Sequence, residues 1–239
     1  MTESIDAGAI PSRVHIDGSL GDRLGTILAI VAVPVPLVWL LYAAVDAVLG
    51  TQSTLGLPVN YLVYGIVNLG VVVVVYRLLG PEQRTTVFRF ERPSLRETGA
   101  AVVAFGLGLA VFPLIARLNA ALGYQTQGMS YSLSDPTTLL VVIVGTVVLA
   151  PITEEILYRG LVLGALTSSG FGSISAAVIM TVLFALMHLP NFGVGGSIFI
   201  SVWGLLPAAL RLRYDNLSGA TMMHVLNNLF AYVVFVAAA

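Results

Sequence analysis

Residues 138–166 read TLLVVIVGTVVLAPITEEILYRGLVLGAL, an apolar run that two glutamates and one arginine interrupt. The run is longer than the about 20 apolar residues that a straight transmembrane helix needs. Pro151 lies near its middle and lacks the backbone N–H that an α-helix uses, so we expect a kink there. The stretch therefore predicts a long, kinked membrane helix that carries charged side chains into an apolar environment.

The rest of the chain has the same apolar character. Of its 239 residues, 57% are hydrophobic and 10% are charged, whereas soluble domains carry about 25% charged residues. Six further apolar runs are long enough, or nearly so, to span a bilayer: roughly 24–49, 57–76, 97–118, 173–189, 197–213 and 217–236. We therefore predict an all-α fold, a polytopic membrane helix bundle of about seven transmembrane helices.

The predicted organisation has three parts. Residues 1–22 are polar and are expected to form a disordered tail. Residues 23–136 form an N-terminal three-helix membrane region without a recognisable motif, and residues 137–239 form a four-helix core. A secretory signal would place its apolar segment closer to the start, so we expect the first apolar run to be retained as a membrane helix.

Composition also argues against several classes of function. The net charge of −1 and the absence of a basic stripe give no basis for binding nucleic acid. The chain has no cysteine, which excludes a thiolate nucleophile and a cysteine metal site. The partners to expect are the lipid bilayer and membrane-associated molecules.

The distribution of arginine predicts the orientation in the membrane. With the N-terminus inside, the segments on the inner side hold nine of the eleven basic residues. Such a bias is typical of cytoplasmic loops. The sequence thus predicts an integral, multi-pass protein of the cell membrane with a cytoplasmic N-terminus and, for seven spans, an external C-terminus.

An unusual set of polar residues lies within the last four predicted spans, although a charged side chain in a span costs at least about 2.5–3.5 kcal/mol. They are Glu154, Glu155, Arg159, His188, His224 and Asn228. Glu155 and Arg159 are one helical turn apart and can pair, which leaves Glu154 free to face the bundle interior. His224 and Asn228 also share a helix face, and the first three spans contain little that is comparable.

Each of these features also has a purely structural explanation. Glu155 and Arg159 can form a buried structural pair, and a single intramembrane histidine can serve as an interhelical hydrogen bonder. Phe184, one turn before His188, is better explained by packing than by chemistry. What favours a functional site is that three separate predicted helices each contribute a polar cluster.

The set is suited to amide hydrolysis by an activated water. Glu154 can take a proton from water, and His188 can share that water and help to protonate the leaving amine. His224 and Asn228 can donate hydrogen bonds to the oxyanion of a tetrahedral intermediate. Two histidines and glutamates are also familiar zinc ligands, so zinc remains an alternative, although the HExxH pattern is absent.

Three motifs resemble those of a known family. Residues 154–159 match EExxxR, residues 184–188 match FxxxH and residues 224–228 match HxxxN. In this order they resemble the CPBP family of type II CAAX prenyl endopeptidases and bacteriocin-processing proteins, also called the Abi family. The resemblance covers roughly residues 138–236, and Tyr158 stands where the family often has Phe before the arginine.

The resemblance implies a glutamate-dependent intramembrane endopeptidase without a metal or other cofactor. It assigns water activation to Glu154 and His188, and the oxyanion hole to His224 and Asn228. The substrate would be a membrane-associated peptide or protein, with CAAX-type proteins as one candidate. The alternatives are a non-catalytic membrane scaffold or bacteriocin-immunity-type protein of the same fold, and a transporter that uses the Glu/His set as a proton relay.

Overall fold

The computed structural model describes residues 18–49, 56–124 and 131–238, and all regular secondary structure within these ranges is helical. We number eight helices: α1 Ser19–Val48, α2 Leu57–Leu78, α3 Pro81–Val87, α4 Leu95–Ala121, α5 Pro136–Ser168, α6 Ser173–Trp203, α7 Leu205–Tyr214 and α8 Ser218–Ala238. Six to seven helices are long and apolar enough to cross a membrane. The prediction of an all-α membrane bundle of about seven helices is confirmed.

The number of spans depends on how α6 and α7 are counted. The predicted runs 173–189 and 197–213 lie on one helical stretch, Ser173–Tyr214, of 42 residues. A straight helix of that length would measure about 63 Å, twice the about 30 Å of a bilayer's hydrocarbon core. Gly193 interrupts α6 with a non-helical backbone (φ 63°, ψ −173°), a conformation that glycine adopts without steric cost.

The contacts of α6 with α4 show that the chain reverses direction at Gly193. Three pairs connect the two helices: Asn119–Gly195, Phe112–Phe199 and Gly108–Trp203. Residue numbers fall along α4 while they rise along α6, so residues 194–203 run antiparallel to α4. The Thr181 hydroxyl donates to the Gly204 carbonyl at 3.4 Å, which brings the chain before and after Gly193 side by side. The first part of α6 therefore crosses the bundle in one direction, and its second part returns in the other.

Helix α1 is divided where its first proline occurs. A segment Leu24–Ala32 ends at Val33, and a second segment, Pro34–Leu49, follows. Proline is tolerated in the first turn of a helix because that N–H has no intrahelical partner. Of the predicted tail, residues 1–17 lie outside the described residues, and Gly18–Arg23 forms a 3₁₀ turn with Leu20 fully buried.

Asp135 caps the start of α5, and its carboxylate accepts hydrogen bonds from the Thr138 N–H at 2.8 Å and the Thr138 hydroxyl at 2.9 Å. Both bonds lower the pKa of Asp135, and the bond from the backbone N–H has the larger effect. Further along, two π-helical segments, Ile143–Leu149 and Glu155–Val162, flank the α-helical segment Ala150–Glu154. Pro151 lies within that short segment, and both glutamates lie at its boundary with the second π-helical segment.

Hydrogen bonds hold the start of α8 to the segment before α4 and to the first turn of α4. The Leu217 N–H donates to the Arg89 carbonyl at 2.8 Å, and the Gly219 N–H donates to the buried Glu97 carboxylate at 2.9 Å. A carboxylate at this end also interacts favourably with the helix dipole. These bonds hold α8, and with it His224, in a defined position against the N-terminal half of the chain.

Helices α2 and α5 approach closely at two glycines. A Cβ atom on Gly145 would lie 2.8 Å from the backbone nitrogen of Leu62, and one on Gly65 would lie 2.9 Å from the Cβ of Leu149. Both distances are shorter than a normal carbon contact. Since the contacting residue numbers rise together on both helices, α2 and α5 run parallel here.

Replacing Gly145 with Ala is expected to destabilise the bundle by about 1–3 kcal/mol, because the new methyl group must displace the backbone of α2. The matched control is Gly106→Ala in α4, where a Cβ would meet no heavy atom within 4 Å. Thermal unfolding in detergent micelles would compare the two variants. Equal midpoints for both would contradict the close approach of α2 and α5.

Candidate active site

Glu154 of α5 lies where three helices converge, and only 3% of the residue is exposed. Its Oε1 is 3.8 Å from Nε2 of His188 on α6, and its Oε2 is 3.6 Å from Nε2 of His224 on α8. Both distances are too long for direct hydrogen bonds. The two imidazole rings thus face the two oxygens of one carboxylate at a separation that one water molecule can bridge.

The His188 ring is held from its other side. Its Nδ1 is 2.8 Å from the carbonyl oxygen of Phe184, one turn earlier, and must donate to it because a carbonyl only accepts. In the neutral ring, Nε2 is then an acceptor that faces Glu154. The ring of Phe192 stacks on the imidazole, with centroids 5.9 Å apart. The predicted run ended at residue 189, whereas the first part of α6 continues to Gly193, so His188 lies within the helix.

The His224 ring is oriented by a second carboxylate. Its Nδ1 is 2.8 Å from Oε1 of Glu155. The edge of the Trp203 ring packs against the imidazole, with centroids 5.0 Å apart. A carboxylate at Nδ1 fixes the orientation of the ring and directs Nε2 towards Glu154.

The pair predicted from one-turn spacing is formed within the bundle. Arg159 donates from one terminal nitrogen to Oε1 of Glu155 at 3.1 Å, and both residues are fully buried. Its other terminal nitrogen donates to the Gly204 carbonyl at 3.0 Å. The guanidinium also lies 4.5 Å from the centre of the Phe184 ring. Arg159 thereby connects α5 to both α6 and α7, while Glu155 connects α5 to His224.

Asn228 contacts α5 two turns before Glu154. Its Nδ2 donates to the Thr146 carbonyl at 2.8 Å, and its Oδ1 accepts from Asn227 at 3.2 Å. One amide hydrogen of Asn228 is therefore engaged, and the other is available for a further acceptor. The structure thus brings Glu154, His188 and His224 together and places Asn228 one turn along α8 from His224.

The helices before α5 contribute residues that the sequence analysis missed. Tyr64 of α2 lies near the Glu154 carboxylate and near the amide of Asn68, which is 1% exposed. Tyr64 and Asn68 are themselves one turn apart, the same spacing that marked the other polar pairs. The one-turn spacing was visible in the sequence, but tyrosine and asparagine are less unusual in an apolar run than glutamate or histidine.

The described residues contain no group of three or more His, Asp or Glu side chains arranged to hold a metal ion. His224 uses Nδ1 for Glu155, and His188 uses Nδ1 for a backbone carbonyl. In each ring, Nε2 is therefore the nitrogen atom that faces Glu154.

Comparison with known proteins bears on the part of the chain that holds this constellation. Residues 136–230 match the family model described as type II CAAX prenyl endopeptidase Rce1-like. The family resemblance is confirmed. The Rce1-like region includes Glu154, His188, His224 and Asn228, whereas α1–α4, including Tyr64, lie outside it. No curated protein and no solved structure gives a significant match to the chain.

The membrane-length helices support an integral, multi-pass membrane protein, and residues 136–230 are similar to a protease family.

Proposed function

We propose that this protein is an intramembrane endopeptidase that hydrolyses a peptide bond of a membrane-associated protein or peptide with a water activated by Glu154. The observation that carries the proposal is the convergence of two imidazole Nε2 atoms on the two oxygens of the buried Glu154 carboxylate. Its position inside an Rce1-like region supports a protease and makes CAAX-type proteins one candidate substrate class.

The proposed first step is the attack of water on the scissile carbonyl carbon. A water held between Glu154 and His188 gives its proton to the Glu154 carboxylate as its oxygen bonds to that carbon. The carbonyl oxygen becomes an oxyanion, which His224 and Asn228 stabilise by donating hydrogen bonds. When the C–N bond breaks, the proton passes from Glu154, with the help of His188, to the leaving amine.

The oxyanion role places a requirement on His224. Since its Nδ1 donates to Glu155, a second donation from Nε2 needs the doubly protonated, cationic ring. The buried Glu155 carboxylate supplies the opposite charge next to that cation. Asn228 can donate to the oxyanion without any change of charge, because it retains one amide hydrogen beyond the bond to Thr146.

The mechanism uses no metal or other cofactor in this proposal, and zinc is the alternative. Residues 137–239 form the proposed peptidase core, and residues 23–136 form a three-helix membrane region that packs against it.

Comparative membrane peptidomics of the wild type and Glu154→Gln tests the function. Peptides that accumulate only in the wild type would identify products, and identical peptidomes would contradict the proposal.

The proposed orientation has a cytoplasmic N-terminus in the cell membrane and, because α6 reverses at Gly193, an external C-terminus. A fusion of alkaline phosphatase to Ala239 should therefore be active, since the enzyme folds only outside the cytoplasm. The same reporter fused after Arg92, on the opposite side, should be inactive. An inactive fusion at Ala239 together with an active one at Arg92 would invert the proposed topology.

A further inference from the structure

Helix α2 lies outside the Rce1-like region, yet it brings polar groups to the site. Along α2, the contacts Leu62–Gly145 and Gly65–Leu149 advance together with α5. About one further turn on each helix brings Asn68 to the level of Ile152, two residues before Glu154, and α2 packs along the segment Ala150–Glu154. The packing of α2 on α5 therefore leads directly to the proposed general base.

Two side chains of α2 point to a specific role at this position. The Tyr64 hydroxyl lies near the Glu154 carboxylate, Tyr158 one turn further along α5 and the amide of Asn68. Asn68 is 1% exposed, and its Nδ2 has no hydrogen-bond partner among the described residues. A buried amide donor without a partner is costly, so its position beside the Tyr64 hydroxyl calls for an explanation.

The geometry points to Tyr64 as a positioning residue of the proposed peptidase: its hydroxyl donates to the Glu154 carboxylate and orients the two carboxylate oxygens towards His188 and His224. The inference rests on the proposed function. The Asn68 amide lies near the phenol oxygen, and a donation from its Nδ2 to that oxygen would direct the hydroxyl hydrogen towards Glu154. The donor chain then runs from Asn68 through Tyr64 to the carboxylate.

This role explains what the N-terminal region contributes to the site. His188 and His224 face Glu154 at 3.8 and 3.6 Å, too far to hold the carboxylate directly. A carboxylate without a nearby donor can rotate, whereas a general base must keep its lone pair on the water that it deprotonates. Tyr64 supplies the donor from a helix outside the Rce1-like region, and the Gly65–Gly145 approach is what allows it to reach Glu154.

The test compares Tyr64→Phe with Tyr61→Phe in the full chain, reconstituted in lipid nanodiscs. Both variants remove one hydroxyl from the same helix, but the Tyr61 ring packs against Tyr131 and Tyr232. Infrared difference spectra identify the Glu154 carboxyl band as the one missing in Glu154→Gln. Tyr64→Phe should shift this band, because carboxyl stretching frequencies respond to hydrogen bonding, and Tyr61→Phe should leave it in place. An unshifted band in Tyr64→Phe, or equal shifts in both variants, would overturn the inference.

A kinetic measurement adds a second readout. With a fluorogenic peptide that ends in a farnesylated CAAX box as the probe, Tyr64→Phe should lower kcat by about 10- to 100-fold with little change in KM. A lowered KM or an unchanged kcat would speak against a positioning role. Identical peptidomes of wild type and Glu154→Gln would contradict the proposed function. The infrared result would still show whether Tyr64 contacts Glu154.

A measurement on the intact hydroxyl covers the case in which Tyr64→Phe fails to insert. The ¹⁹F resonance of 3-fluorotyrosine at position 64 should shift when Glu154→Gln is introduced. It should stay unchanged with Glu91→Gln, a substitution at an exposed carboxylate. An unaffected resonance in the Glu154→Gln background would overturn the contact.

Discussion

Glu154→Gln is expected to lower peptide hydrolysis by at least about 10²- to 10⁴-fold, the contribution that a positioned general base makes to proton transfer. The amide has the same shape as the carboxyl group but cannot accept a proton from water. Because Glu154 makes no direct hydrogen bond to either histidine, the substitution leaves the described contacts of both rings in place. The loss should therefore appear in kcat while the variant inserts and unfolds like the wild type.

The matched control is Glu91→Gln, the same chemical change at an exposed glutamate before α4. Its activity should equal that of the wild type. Treatment with a strong chelator separates the proposed mechanism from the zinc alternative, since a water activated by Glu154 needs no metal. Full hydrolysis by a correctly inserted Glu154→Gln protein would end the assignment, and loss of activity in chelator that zinc restores would favour the metal.

Arg159→Leu is expected to destabilise the bundle by about 3–5 kcal/mol, because removal of one partner leaves the buried charge of Glu155 uncompensated. The substitution also removes the donor to the Gly204 carbonyl and the cation over the Phe184 ring. Three helices are thereby loosened at once. Unfolding by denaturing detergent, followed by circular dichroism, would measure the change in the free energy of unfolding.

Arg213→Leu provides the control for this prediction, since it makes the same substitution at an exposed arginine of α7. It should change stability by less than about 0.5 kcal/mol. Adding Glu155→Gln to Arg159→Leu should recover part of the loss, because the unpaired charge disappears together with its partner. Equal effects of Arg159→Leu and Arg213→Leu would show that the buried pair contributes little to stability.

The two predictions concern the adjacent residues Glu154 and Glu155, the second through its partner Arg159, and their expected outcomes differ. Glu154 faces two histidines without a direct bond, and its substitution should affect chemistry. Glu155 bonds to Arg159 and to His224, so the pair should affect stability and the orientation of the His224 ring. Spacing predicted the Glu155–Arg159 partnership because residues four apart share a helix face. The bond from Glu155 to His224 joins residues on separate helices, which spacing within one helix does not address.

The position of His188 within its helix also depended on the tertiary structure. The predicted apolar run 173–189 ends one residue after His188, just before Pro190 and Asn191. In the structure the helix passes through both residues and breaks only at Gly193. Asn191 is exposed, so it interrupts the apolar pattern without interrupting the helix.

The amino-acid sequence by itself determined that this chain is a helical membrane bundle. A chain that is 57% hydrophobic and 10% charged can satisfy its backbone in a bilayer only as helices or a closed barrel, and its long apolar runs favour helices. The sequence also determined which polar residues to examine, because charges in apolar runs are expensive and their one-turn spacings are visible without a structure.

Only the tertiary structure decided which of those residues meet, and that α2 joins them. Glu154 faces His188 and His224 because α5, α6 and α8 pack together, and Tyr64 reaches Glu154 because Gly65 and Gly145 let α2 approach α5. Contacts between helices depend on packing and on where each helix bends, and these are properties of the whole bundle. The run 138–166, with its two adjacent glutamates, thus predicted a membrane helix and a candidate base. The helices that pack against this run determine which side chains surround that base.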